Sequence, residues 1–267
     1  RGLGDVYKRQ VHLEHFAVHD PIQGPKDLVA KYEAKRRAQS PSAGPAFLLE
    51  PNPDGPLPSP EALKALQTND TLQAHQDQRV WWVKQVQDNA QFAAMLEATD
   101  ESLGRIRAKL GELGLAEKTI LIFTGDNGGM SASNQYRGVH QPREVLDRRF
   151  ASSNLPLRGA KGWNYEGGIR VPLIVHWPGR VKAGSTSQAM VIGTDFYPTL
   201  LEMTGHPLLP HQHVDGQSFV PALLGQAHDR GALFWHFPHY RNHGYQSPGG
   251  ARAARNTGEG FKYEWGG

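Results

Sequence analysis

The sequence predicts an α/β protein in which helices flank a mainly parallel sheet, with the start of a smaller α+β subdomain at its C-terminal end. Two short apolar runs, at residues 118–123 and 171–177, have the length of buried strands. A long helical pattern precedes the first run, and another helical pattern follows the second. Strands that alternate with helices are typical of a parallel sheet, because each crossover helix returns the chain to the same edge.

The composition of the 267-residue chain narrows the classes of function. It contains no cysteine, which excludes disulfides, thiolate metal sites and cysteine nucleophiles within these residues. The net charge of +3 is slight for this length, and no basic stripe with interleaved aromatic residues accompanies it, so no nucleic-acid partner is predicted. No apolar run approaches the roughly 20 residues that a membrane span requires, so none is predicted.

The first ten residues, RGLGDVYKRQ, show neither a helical nor a strand period. Back-translated with permitted codons, they resemble a transposase adapter used in preparing sequencing libraries. We therefore exclude residues 1–10 from the fold prediction and expect the natural reading frame to begin upstream. The first predicted element is then a short strand and loop at residues 11–21, stopped by Pro21.

The next elements follow from apolar spacing and from helix and turn signals. A helix is predicted over residues 25–38, with proline at its start and basic residues at its end. Residues 40–60 are rich in proline, glycine and serine, which indicates a surface excursion. A long helix is predicted over residues 83–113, because apolar residues recur there at spacings of three, four and seven. Gly114 closes this helix.

The second half of the chain continues the alternation and then changes character. Residues 130–156 are polar and irregular, and they are long enough for a functional loop. Residues 187–205 predict a short strand followed by a helix that ends at a glycine. Beyond them the pattern differs, so we expect one partial domain over residues 11–208 and an incomplete subdomain over residues 209–267.

The loop Asp126-Asn127-Gly128-Gly129 is the first candidate site, because it directly follows the strand predicted at residues 118–123. Ligands of open α/β sheets lie beyond the carboxyl ends of the strands. Carboxylate and amide oxygens suit Ca²⁺ or Mg²⁺, and glycines allow a ligand to approach the backbone. An ordinary turn is the alternative interpretation of the same four residues.

Lys161 and His19 are the other candidates. Lys161 lies between small residues in RGAKGWNYEGG, where a lysine can provide a fixed positive charge for an anion. His19 follows the first predicted strand, where a histidine can donate to an anion or act as a general acid. The alternatives are a solvated loop lysine and a structural histidine.

The amino-acid sequences of four segments, and their order along the chain, resemble those of the sulfatase family, which belongs to the alkaline-phosphatase-like α/β superfamily. The segments are FAVHDPIQGPKDLVAKYEAK, MLEATDESLGRIRAKLGELGLAEKTILIFTGDNGG, LPLRGAKGWNYEGGIRVPLIVHWPG and TDFYPTLLEMTG. The resemblance implies that residues 11–208 are part of a sulfatase catalytic domain. It also implies that Asp126 and Asn127 are Ca²⁺ ligands, that Lys161 contacts the sulfate oxygens, and that His19 touches the sulfate and assists departure of the alcohol.

Two parts of the family pattern are missing from the sequence. Sulfatases use a formylglycine made from Cys or Ser in a C-x-P-x-R or S-x-P-x-R motif, and the nearest string here, NLPLR, begins with Asn154 and belongs to another segment. The acids that complete the calcium site are missing as well. Family topology places both upstream of His19, so we expect an active parent enzyme but an inactive 267-residue chain that binds calcium poorly. The resemblance implies export to the periplasm or outside the cell, with any signal upstream.

The distal segment supplies two further candidates, His239 and Arg241, for recognition of a sulfated sugar or other glycan substrate. Loops often carry binding residues, which supports a role in recognition. A polar surface hairpin is the alternative, and the sequence supports it equally. Two other functions remain open. One is a phosphodiesterase or phosphonate hydrolase of the same superfamily, although Asn127 suits calcium better than the histidine expected at a zinc or manganese site. The other is a non-catalytic, sulfatase-like binding protein.

Overall fold

The computed structural model describes residues 10–19, 21–40, 47–51, 61, 80–131, 152–161, 165–236, 251–256 and 261–264. Their helices are α1 (Lys26–Arg37), α2 (Ala90–Glu112), α3 (Glu166–Ile169), α4 (Phe196–Met203) and α5 (Val220–Leu223). Their strands are β1 (Phe47–Pro51), β2 (Val80–Lys84), β3 (Leu121–Thr124), β4 (Leu173–His176), β5 (Leu233–His236), β6 (Ala251–Asn256) and β7 (Phe261–Glu264). Helices and strands are interspersed along the chain, and this mixed content confirms the predicted α/β class.

Helix α1 confirms the prediction made for residues 25–38. It follows Pro25 and ends with three basic residues, which favour the negative end of the helix dipole. It packs against α2, and the Nζ atom of Lys31 lies 2.5 Å from Oε1 of Glu97. The two helices therefore form one unit beside the sheet strands.

Helix α2 begins later than the sequence predicted. Its N-cap is Asn89, whose Oδ1 accepts a hydrogen bond from the backbone N–H of Phe92 at 3.1 Å. Val80–Lys84 instead forms β2, which pairs with β1 inside the predicted surface excursion. The reason is that valine and tryptophan favour strands once a partner strand is available, and an asparagine cap gives the helix a defined start.

The described strand pairs are all antiparallel: β1 with β2, β3 with β4, and β5 with β6 and β7. The mainly parallel pairing that we expected is therefore absent from the described ladders. Parallel neighbours need a crossover connection, usually a helix of several turns. Of the described residues between β3 and β4, only the single turn α3 is an α-helix, and the two strands pair in opposite directions.

Two predicted strands are not formed in the described residues. Residues 11–19 have no strand assignment, and the side chain of Phe16 is 73% exposed. Residues 187–192 are also irregular, although α4 follows them as predicted. An apolar alternation becomes a strand only when another strand supplies hydrogen-bond partners, and no described ladder includes either segment.

Strands β3 and β4 are less buried than their apolar sequences predicted. Phe123 pairs in register with Ile174, and their side chains are 38% and 61% exposed. Both strands nevertheless lie within the apolar runs that were predicted to form strands. The candidate loop at residues 125–129 leaves the carboxyl end of β3.

A small core cluster lies behind that loop. It contains Ile22 from the segment before α1, Met95 from α2, and Met130 from the residues after β3. Val18 packs against the same cluster. The cluster therefore ties three distant parts of the chain together at the end of β3.

The region after β4 is organised around Asp195, which is fully buried. Its carboxylate accepts hydrogen bonds from the backbone N–H groups of Ile192 and Gln217, at 3.0 and 2.8 Å. Arg230 pairs with it at 2.9 Å. These contacts link α4 to the residues that follow it, across the boundary predicted at residue 208, which stays a prediction.

Candidate functional site

The loop after β3 is held against the segment that leads into β4. The backbone N–H of Gly125 donates to the carbonyl of Pro172 at 3.3 Å, and that of Gly128 donates to the carbonyl of Gly168 at 2.9 Å. Asp126 is exposed and Asn127 is half-buried between these two anchors. The loop is thus fixed at both ends while its carboxylate faces solvent.

Glycine is required where the two segments meet. A Cβ atom on Gly128 would lie 1.8 Å from the carbonyl oxygen of Gly167, and one on Gly167 would lie 2.2 Å from the carbonyl oxygen of Gly159. No side chain fits at such distances. The three glycines therefore allow three backbone segments to stack.

Lys161 lies beside this loop. Its backbone N–H donates to the carbonyl of Gly129 at 3.0 Å, and the preceding residue, Ala160, is fully buried. The Lys161 side chain is half-buried. The structure therefore brings the backbone of Lys161 next to the segment that carries Asp126 and Asn127.

His19 directly follows a residue that packs on the core cluster, but no contact among the described residues joins its ring to the loop. Val18 packs on the cluster that includes Met130, one residue beyond the loop. The His19 ring is half-buried and lies 5.3 Å from the ring of Phe16, measured between centroids. The backbone of the following segment is tied to α2, because the N–H of Gly24 donates to Oε1 of Gln91 at 2.9 Å.

The loop fits part of a calcium coordination shell. The Nδ2 atom of Asn127 donates to the carbonyl of Gly128 at 3.0 Å, which leaves Oδ1 as the acceptor of this side chain. Together with the exposed Asp126 carboxylate it offers hard oxygen donors, whereas Ca²⁺ takes about six to eight oxygen ligands. No group of three acidic or histidine side chains suited to a metal occurs among the described residues. Asp126 and Asn127 would therefore hold only one side of such an ion.

Asn154 is the residue of this region that sequence reasoning missed. Its side-chain amide donates toward the carbonyls of Gly129, Gly159 and Gly167 and toward the hydroxyl of Ser131. The sequence had drawn attention to Asn154 only because NLPLR resembles a nucleophile motif. A polar residue flanked by three glycine-rich segments was the available signal, but its partners lie up to 25 residues away.

Arg170 and His213 have local partners, and the two distal candidates fall outside the described residues. Arg170 pairs with Glu166 at 3.4 Å across α3, which fits an anchoring role for that arginine. His213 accepts from the N–H of Leu209 at its Nε2 atom and lies 3.2 Å from the Gly216 carbonyl at Nδ1, so it carries its proton on Nδ1 and is structural. His239 and Arg241 lie outside the described residues, and their role stays a prediction.

Two protein families match parts of this sequence. A model of the sulfatase family matches residues 15–206, which include every candidate residue of the loop region. The chain belongs to the sulfatase family. A second family, N-sulphoglucosamine sulphohydrolase, C-terminal, matches residues 160–253 of this sulfatase-family chain.

Two curated relatives illustrate the similarity of this sulfatase-family chain. A sulfatase of Formosa agariphila is 36% identical over 165 residues, covering 57% of this chain and 27% of the relative. Human arylsulfatase A is 34% identical over 149 residues, covering 56% of this chain and 26% of the relative. The chain thus spans about a quarter of the length of these relatives.

A solved structure supports the fold alone. The crystal structure of Ps i-CgsB superposes with a TM-score of 0.53 at 21% identity, covering 89% of this chain and 37% of that one. The described helices include none with the length and apolarity needed to cross a bilayer.

Proposed function

We propose that the protein to which these residues belong hydrolyses sulfate esters. The observation that carries the proposal is the 3.0 Å bond from the Lys161 N–H to the Gly129 carbonyl, which puts a lysine beside the Asp126–Asn127 loop. A sulfate ester is anionic before it reacts, and negative charge grows on its oxygens as the ester bond breaks. A lysine held beside hard oxygen donors is suited to that charge distribution.

The roles of the chain's own residues follow from their chemistry. Lys161 would orient the sulfate and stabilise its peripheral oxygens through its positive charge. His19 would donate a proton to the departing alcohol oxygen, which cannot leave easily as an alkoxide. Asp126 and Asn127 would hold Ca²⁺, which supplies further positive charge when bound. The formylglycine expected in this family has no C-x-P-x-R or S-x-P-x-R precursor within the chain.

For the substrate, we propose a sulfated sugar or polysaccharide. Support comes from the match of residues 160–253 to a family named for N-sulphoglucosamine sulphohydrolase. The dog N-acetylgalactosamine-6-sulfatase is also 34% identical over 139 residues. His239 and Arg241 would then contact the sugar, and export from the cytoplasm would give the enzyme access to it.

Phosphate-ester or phosphonate hydrolysis is the competing chemistry, and a non-catalytic binding protein is the third alternative. Asn127 favours the sulfatase, because its amide oxygen suits calcium, whereas a histidine would suit zinc or manganese. These three readings differ in what the complete protein does to matched esters of one alcohol.

The deciding experiment uses the complete protein, produced with a formylglycine-generating enzyme. An aryl sulfate, an aryl phosphate diester and an aryl phosphonate monoester with the same leaving group would be assayed with added calcium. We expect kcat/KM to be highest for the sulfate. A higher value for either phosphorus ester would replace the proposal with the competing chemistry. Sulfate-ester binding without turnover of any ester would indicate a binding protein.

A further inference from the structure

The Asn154 side chain occupies the point where the site segments converge. Its Nδ2 atom lies 2.9 Å from the carbonyl oxygen of Gly129, 3.0 Å from that of Gly167 and 3.2 Å from that of Gly159. The hydroxyl oxygen of Ser131 is 3.3 Å away. We refer to this amide and its four oxygen partners as the Asn154 clamp.

The chemistry of the clamp identifies what the side chain must be. Three of its four partners are carbonyl oxygens, which only accept hydrogen bonds, so an N–H donor has to face them. An amide nitrogen has two N–H bonds and can share them among several acceptors. A carboxylate of the same shape would place a negative oxygen against three carbonyl oxygens. The side chain at position 154 must therefore donate hydrogen bonds as well as fit the available space.

The three carbonyl partners of the clamp belong to three different segments, and Ser131 lies two residues after Gly129. Gly129 ends the loop that carries Asp126 and Asn127, Gly159 lies two residues before Lys161, and Gly167 belongs to α3. The Gly129 carbonyl also accepts the N–H of Lys161 at 3.0 Å. One carbonyl thus connects the clamp to the backbone of the proposed sulfate-binding lysine.

The Asn154 side chain packs closely against the backbone of Gly129. A Cβ atom on Gly129 would lie 2.6 Å from Oδ1 of Asn154, so the amide is pressed directly onto the glycine backbone. The Ser131 hydroxyl donates to the Gly159 carbonyl at 3.3 Å, and Ser131 is fully buried. The Gly129 and Gly159 carbonyls have these further donors, whereas the carbonyl of the buried Gly167 receives its described side-chain hydrogen bond from Asn154, so loss of the amide would leave that oxygen poorly satisfied.

We propose that Asn154 is a positioning residue that sets the distance between Lys161 and the Asp126–Asn127 loop by bonding the backbones on which they lie. It acts through main-chain segments and does not itself touch the substrate. Its catalytic meaning rests on the proposed function, but its effect on the backbone does not. Both parts can therefore be measured separately.

The first test measures backbone hydrogen exchange in the 267-residue chain for Asn154→Asp, Asn154→Ala and Asn154→Ser. Protection of the Lys161 amide should fall by about tenfold or more in the alanine variant, because a buried hydrogen bond is lost. The aspartate variant should lose at least as much, and the serine variant, which keeps one donor, should lose less. Protection of the Ala93 amide in α2 should not change.

The ranking separates positioning from packing. A residue needed only to fill space would give aspartate close to wild type and alanine the lowest protection, and that order would overturn the proposal. An equal loss at Ala93 and Lys161 in all three variants would indicate general destabilisation and would overturn it as well. Thr204→Val serves as the control, since it removes a side-chain donor to the Leu200 carbonyl in the distant helix α4.

The second test measures kcat and KM for an aryl sulfate in the complete protein. Asn154→Ala should lower kcat by about tenfold to a hundredfold through misplacement of Lys161, with Asn154→Ser between it and wild type. Unchanged kcat together with lost Lys161 protection would refute the catalytic role. An inactive wild-type protein would refute the proposed function, and the exchange ranking would then decide the clamp alone.

Discussion

Two hydrogen-bonded regions of this chain differ in whether their charged side chains are buried and paired or accessible to solvent. Around Asp195 the buried carboxylate is satisfied internally by two backbone N–H groups and by Arg230. Around Asn154 the side-chain hydrogen bonds are neutral and partly buried, and the charged groups Asp126 and Lys161 keep access to solvent. A charged side chain that is buried and paired contributes to the fold. A charged side chain that stays accessible to solvent can still bind a ligand. We call the backbone segments that the Asn154 clamp joins the frame.

The largest expected effect is a loss of stability when the buried ion pair between Asp195 and Arg230 is broken. Asp195→Asn should lower the free energy of unfolding by about 3–5 kcal/mol, because it leaves Arg230 without its anionic partner in a poorly hydrated place. Chemical denaturation of both proteins measures the difference. Asp215→Asn is the matched control, since Asp215 is exposed and its side chain should contribute within about 0.5 kcal/mol. Equal midpoints for Asp195→Asn and wild type would remove the contrast between the two regions.

Activity should show the reverse pattern. In the complete protein, Lys161→Ala should reduce kcat for an aryl sulfate by about 10²–10³-fold while the free energy of unfolding changes by less than about 0.5 kcal/mol. The reason is that its backbone, not its side chain, joins the frame. Lys182→Ala, at an exposed lysine outside the site, should leave both quantities unchanged. A strong loss of stability in Lys161→Ala would show that this lysine belongs to the structural class.

The close stacking of the frame predicts a steric effect. Gly128→Ala should destabilise the protein by about 1–3 kcal/mol, because its Cβ would lie 1.8 Å from the Gly167 carbonyl oxygen and the backbones must separate. In Gly104→Ala the new methyl group on α2 meets no atom within 4 Å. That control should gain about 0.5–1 kcal/mol from helix propensity. Thermal unfolding of both variants measures the contrast, and a neutral Gly128→Ala would mean that the segments are not tightly stacked.

The smallest expected effect is a pH dependence at the interface between α1 and α2. The hydrogen bond from Lys31, followed by one from Tyr32, lowers the pKa of Glu97 below its ordinary value. The stabilisation is therefore present above that ordinary pKa and is lost as the pH falls through the lowered one. The melting temperature of Glu97→Gln should lie below that of wild type at pH 7, and the two should converge in acid.

The control for this comparison is Glu112→Gln, which removes the partner of Lys109 on the same helix. Both members of that pair are exposed and three residues apart, so the pair does not link two helices. Its melting temperature should follow wild type across the pH range. A constant gap between Glu97→Gln and wild type down to strong acid would contradict the assigned origin of the pKa shift.

Local signals in the sequence predicted much of the fold. Helix α1 was readable from a proline start and a basic end, and β3 and β4 from short apolar runs bounded by turn residues. These signals depend on neighbours within a few residues, so the chain alone carries them. The expected strand near residue 11 and the early start of α2 were wrong, because strand formation depends on a partner elsewhere in the chain.

The candidate site divides along the same line. Asp126, Asn127 and Lys161 lie in glycine-rich segments that can be recognised before folding is considered, and those segments indicate the family. The bond from Lys161 to Gly129 and the contacts of Asn154 with three backbone segments became visible only in the folded chain. Side-chain chemistry is local, whereas a hydrogen bond between residues 25 positions apart exists only after the fold has closed the chain between them.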